Sequence, residues 1–214
     1  MTADTFISRY ALNELPAIPC KEGYEELPLA EPEGMPKFDL ENVHHSVNLA
    51  HGETRQWVKD ILAEAQPRWL TLFGVPGCGK TMLARLARQT LLDKGKTVQL
   101  WNWTKVWRRC LDGDWGILDH LIELPILLLD DVGAEFTGTR KTAELNSARL
   151  YEIAEGRLGK WTFITSNLNT AQMDVNLGGR FVSRIFRGKS VVVDLTHAED
   201  YSYRQWLINR THTA

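Results

Sequence analysis

From residue 69 onward, short runs rich in apolar residues take turns with helical patterns. The runs lie at 69–73, 97–101, 125–129, 161–165 and 190–195, each of strand length. Between them, at 80–92, 104–111, 141–156 and 179–186, apolar residues recur at the spacing of a helix with one buried face. Regular alternation of this kind predicts an α/β fold, a parallel five-stranded sheet with helices on both faces.

Upstream the pattern changes. Trp57, Val58, Ile61 and Leu62 suggest a helix within 38–66 that leads into the core and stops at Pro67. Ahead of it, five of the eight prolines (Pro16, Pro19, Pro28, Pro32, Pro36) fall among Glu22, Glu25, Glu26, Glu31 and Glu33, which reads as an extended acidic linker. Phe6, Ile7, Tyr10, Ala11 and Leu15 recur at helical spacing, so a short amphipathic helix is expected there, too small to fold alone. Such a helix suits a groove on a partner or the surface of its own domain. The chain therefore divides into a partner-docking segment and linker over 1–36 and one folded domain over 37–214.

Composition adds limits. The 214 residues, 43% hydrophobic and 24% charged, are enough for one sizeable core. A formal charge of −2 places any nucleic-acid contact on a local patch. Cys20, Cys78 and Cys110 are scattered and odd in number, with no Cys-x-x-Cys, which points to a reducing, cytoplasmic setting without structural zinc. Residues 1–10 lack the basic and apolar regions of a secretory signal, and no stretch is long enough to span a bilayer, so no membrane association is expected.

The strongest chemical signal is Gly74-Val75-Pro76-Gly77-Cys78-Gly79-Lys80-Thr81, followed by Met82, set between an apolar strand and a helix carrying Leu83, Leu86, Ala87 and Leu91. This is a Walker A sequence in its strand–loop–helix context. Glycines let backbone N–H groups turn around a β-phosphate, the helix N-terminus favours anions, and Lys80 reaches the β- and γ-oxygens. ATP is the implied ligand. Thr81 is placed to offer its hydroxyl to Mg²⁺. A second run, Ile126-Leu127-Leu128-Leu129-Asp130-Asp131, ends in two acids at a parallel-strand tip, where open α/β sheets bind ligands. Asp130 is the expected Mg²⁺ holder, and Asp131 the group that polarises an attacking water. The strand at 161–165 runs into Ser166-Asn167, whose amide could contact both γ-phosphate and water, or could serve the turn alone.

Taken together, the Walker A segment, Leu128-Leu129-Asp130-Asp131-Val132-Gly133, Ile164-Thr165-Ser166-Asn167-Leu168, Arg180-Phe181-Val182-Ser183-Arg184 and Tyr201-Ser202-Tyr203-Arg204 resemble the bacterial DnaC/DnaI helicase loaders and the related IstB transposition helpers, all AAA+ ATPases. The similarity covers about residues 38–210. The resemblance implies AAA+ strand order, no C-terminal helical lid, ATP bound between self-associating subunits, Asn167 as a sensor, and Arg184, with Arg180, as a finger reaching a neighbour's nucleotide. It further implies a replicative helicase and single-stranded DNA as partners, or a transposase and duplex DNA on the IstB side. The clustered Cys and His of a DnaI-type zinc domain are missing from the N-terminal part. Asp131 stands where many AAA+ proteins carry glutamate, and Glu135 is a second candidate base.

A nucleic-acid candidate is Trp101-Asn102-Trp103-Thr104-Lys105-Val106-Trp107-Arg108-Arg109, where indoles offer stacking faces and cations follow phosphates. Trp103, Val106, Trp107 and Cys110 also form one helical stripe, the mark of a core face. Lys105, Arg108 and Arg109 are therefore the principal DNA candidates. Arg140, Lys141, Arg149 and Arg157 add base nearby, with Arg157 read as either structural or acting on a neighbour. A small-molecule kinase fits less well, because Ser183-Arg184 before a final strand suits an intersubunit contact better than an acceptor pocket.

Overall fold

The computed structural model describes residues 40–133, 140–198 and 200, with side chains described from residue 46 onward and, after the gap, from residue 142. The expected docking helix, the acidic linker, Glu135 and Tyr201-Arg204 lie outside the described residues, as do the side chains of Arg140 and Lys141. The elements are α1 (Leu40–Leu62), β1 (Trp69–Gly74), α2 (Lys80–Asp93), β2 (Val98–Asn102), α3 (Trp103–Leu111), α4 (Gly116–Glu123), β3 (Ile126–Val132), α5 (Arg140–Gly156), β4 (Trp161–Ser166), α6 (Thr170–Leu177), α7 (Gly179–Ile185) and β5 (Val191–Leu195).

All five strands are parallel, in the order β2-β3-β4-β1-β5. The strands with two neighbours are buried almost throughout, which is why they read as unbroken apolar runs. Their side chains still alternate. Ile126 and Leu128 pack with α1 and α2, whereas Leu127 and Leu129 pack with the helices from α3 to α7. Helix α1 ends at Leu62, before Pro67, and Glu64 beyond it takes a positive φ of 55°. No helix among the described residues is long and apolar enough to cross a membrane.

Arg157 closes the end of the sheet away from the strand tips. Its guanidinium is fully buried and donates to the carbonyls of Leu121 and Leu124, each at 2.8 Å, to Trp161 O at 2.5 Å and to Thr162 Oγ1 at 2.9 Å. Burial pushes its pKa down to about 10. Of the two readings of this residue the structural one prevails, since the guanidinium is fully buried among its own domain's carbonyls. Arg157→Leu strands three buried carbonyls at about 1–3 kcal/mol each, for an expected loss of ~3–5 kcal/mol. Thermal unfolding should move down by about 10 °C; a midpoint matching the parent would show that the network contributes little.

Candidate nucleotide site

The site is built at the C-terminal tips of β1, β3 and β4, with β2 alongside. After β1 the chain turns at Gly77 (φ 77°) and Gly79 (φ 95°), conformations that side-chain-bearing residues rarely adopt, and Lys80 then opens α2 with no acid in the first turn. Gly74 pairs with Leu195 in the parallel β1–β5 ladder, and a Cβ on Gly74 would stand 2.2 Å from the Leu195 carbonyl carbon, so the β5 backbone fills the space a side chain would need. Val75 N–H donates to Leu195 O at 3.3 Å in the same strand pairing. Asp200 approaches Gly77 so closely that a Cβ there would fall 2.0 Å from a carboxylate oxygen. Val75 is half-buried, Pro76 and Met82 are exposed and Cys78 is buried.

Lys80 is buried, and its ammonium donates to Gly74 O at 2.9 Å and Val75 O at 2.6 Å. Burial pushes its pKa down, against the opposing effects of the Cys78 thiol, Asp131 and Asp130. Thr81 Oγ1 donates to Asp130 Oδ1 at 2.9 Å, joining the start of α2 to β3. Among the described residues no group of three or more His, Cys, Asp or Glu gathers to hold a metal. The hydroxyl–carboxylate pair supplies hard oxygen donors of the kind that suits Mg²⁺ shared with phosphates and water, and the glycine turns leave backbone room for a phosphate. The donor set fits Mg²⁺-ATP.

The two acids have a geometry that the sequence concealed. Strand β3 does not stop before them but runs to Val132. Its register with β4 goes from Leu129↔Ile164 to Val132↔Ser166, three steps on one strand against two on the other. This is a β-bulge with Asp130 and Asp131 together opposite Thr165, and Asp131 takes φ 62°. In a regular strand neighbouring side chains face opposite ways. Here Leu127, Leu129 and Val132 all join one core face, so both carboxylates turn toward the phosphate-loop side.

Asp131 is held from the strand beside it: Asn167 Nδ2 donates to its Oδ1 at 2.7 Å from the tip of β4. Burial raises the Asp131 pKa above the ordinary 3.8 and the Asp130 charge adds to this, while the Asn102 amide and Lys80 oppose both. Asn102 was not singled out in the sequence. It caps α3, its Oδ1 accepting from Lys105 N at 3.2 Å, at the start of the helix bearing Lys105, Arg108 and Arg109.

On α3, Trp103 and Trp107 are buried, with the Trp103 indole donating to Asn146 at 3.0 Å, so the stripe is core. Lys105, Arg108 and Arg109 are exposed on the other side. Arg109 pairs with Asp114 and lies 5.7 Å from the Trp101 ring centre. Arg184, in the last turn of α7, is ion-paired with Glu155, lies 5.7 Å from the Tyr151 ring centre and reaches its hydroxyl at 3.5 Å. Arg180 sits 5.8 Å from the same ring.

No family model and no curated protein matches the sequence. Solved structures do. The chain is 27% identical to a DnaC helicase loader structure, with a TM-score of 0.56 over 69% of this chain and 90% of that one. A DnaI structure gives 23%, 0.57, 69% and 82% in the same order. The fold is that of the DnaC-like AAA+ ATPases. AMPPCP-bound DnaA from Aquifex aeolicus shares it at 21% identity and a TM-score of 0.56, across 82% of this chain and 56% of that DnaA. The expected parallel AAA+ sheet with helices on both faces is thus the observed one.

Proposed function

We propose that this protein is an ATP-dependent loader of a replicative helicase that binds single-stranded DNA and assembles through ATP held at subunit boundaries. The observation that carries this reading is the likeness to the DnaC helicase loader structure, at 27% identity over 69% of the chain. The site supports it: the loop from Gly74 to Thr81 offers backbone N–H groups and the Lys80 ammonium to phosphates, and Thr81 with Asp130 would hold Mg²⁺. When bound, the metal would supply positive charge against the phosphates. Asp131, fixed by Asn167, orients the water and takes its proton, and its raised pKa makes it a better base than an ordinary aspartate. Arg184 from a neighbouring subunit completes the site.

The test is capture of the cognate helicase on immobilised full-length protein, with and without ATP. ATP-dependent capture is expected, and absence of capture in both states would end the loader reading. DNA is tested separately. Replacing Lys105, Arg108 and Arg109 together by Ala should weaken single-strand binding and flatten the slope of log K against log salt by about 2, since up to three phosphate contacts are lost. An unchanged slope would leave α3 as scaffold.

A further inference from the structure

We infer that the Thr165 hydroxyl is the positioning group that sets both acids, holding the β3 bulge open so that Asp130 and Asp131 face the phosphate loop together. The inference builds on the reading of this site as one for Mg²⁺ and nucleotide. Thr165 is buried in β4, opposite the bulge. Its Oγ1 donates to Asp130 Oδ1 at 2.6 Å and accepts from Asp131 N–H at 2.9 Å. One oxygen thus satisfies the backbone of one acid and the carboxylate of the next.

Both bonds are needed for different reasons. A bulge disrupts the ladder locally, and a buried N–H without a partner is costly, so the Asp131 amide needs an acceptor that the β4 backbone does not give it. Thr165 Oγ1 is that acceptor, and it stabilises the left-handed φ of 62° at a residue bearing a side chain. Its own proton is then directed away, onto Asp130 Oδ1, the same oxygen that accepts from Thr81. Two hydroxyls from different elements converge on that oxygen and fix the rotamer of the carboxylate. Removing the Thr165 hydroxyl lets the bulge relax toward regular pairing, which would rotate one acid away from the loop.

Thr165→Val keeps the branched shape and deletes the oxygen, whereas Thr165→Ser keeps the oxygen and deletes a methyl group. The variants are compared by titrating a fluorescent ATP analogue with Mg²⁺ and with EDTA, and by hydrogen exchange of the Asp131 amide without nucleotide. Thr165→Val is expected to bind the analogue in EDTA as the parent does. Its Mg²⁺ requirement for half-maximal binding should rise about tenfold, the scale of one lost hydrogen bond to a charged group. Asp131 amide exchange should speed up at least as much, and Thr165→Ser should restore both readouts to within about twofold. Thr165→Cys replaces Val if Val does not fold. Parental Mg²⁺ dependence and slow exchange in the Val variant would overturn the inference, as would a Ser variant as impaired as Val. If Mg²⁺ has no effect on the parent itself, the metal reading fails, and the exchange data alone then decide for or against the clamp.

Discussion

Lys80→Ala is expected to weaken nucleotide binding by about 10²- to 10⁴-fold and to abolish hydrolysis. The ammonium is buried over the loop, bonded to the Gly74 and Val75 carbonyls and close enough to Asp130 and Asp131 to feel both charges. When phosphates bind, those donor positions pass to phosphate oxygens, and two charge-assisted bonds contribute about 1.5–3 kcal/mol each, which sets the range given. Alanine also removes the ammonium whose charge both acids feel, so the incoming polyanion meets more repulsion. The fold should survive, because the substituted group contacts only the loop's own carbonyls and a thiol. Titration with a fluorescent ATP analogue decides the matter, and parental affinity in this variant would remove the phosphate-loop assignment.

The second large effect concerns Arg184. If it acts on a neighbour's nucleotide, Arg184→Ala should bind ATP normally and turn it over about 10³-fold more slowly, even with DNA saturating. Asp131→Asn should also bind and turn over poorly, for the opposite reason: its site lacks the base while its own arginine is intact. Mixing the two inactive proteins should restore part of the activity at boundaries that pair an intact site with an intact finger. Arg184 now bonds Glu155 and Tyr151 of its own chain, and the bond from Arg184 holds the Glu155 carboxyl below the usual carboxylate range. A finger role therefore requires that pair to open as subunits meet. If the pair is all that Arg184 makes, the mixture stays as inactive as its components.

The fold was legible because its two signals are physical periods. Apolar strands buried on both faces and helices with one apolar stripe survive any local irregularity, and each of the five runs became a strand shifted by at most a residue or a few. Two helices escaped. The apolar positions of α4, Ile117, Leu118 and Leu121, are parted from Leu124 and β3 by Glu123 as the sole polar residue after Ile122, and α6 buries only Met173 and Leu177, too few for a stripe. At the site, the glycine loop could be read because it needs particular residues in a row. The bulge could not, because it is a mismatch between two strands and belongs to neither sequence alone. Asn102 stood inside the aromatic and basic run with no role of its own, and its place beside the two acids appears only when β2 lies beside β3. Arg157 was ambiguous for a related reason: nothing in a sequence tells a guanidinium sealed among carbonyls from one in water.

The pairing of Gly74 with Leu195 has a mechanical consequence. Leu195 is at once the last residue of β5 and the surface on which the phosphate loop rests, joined to it by one backbone bond from Val75. Force applied along β5 would reach the phosphate loop through that bond and that contact, and through the Asp200 carboxylate that lies against Gly77. Tension on β5 would in this way be felt at the backbone that borders the anion site.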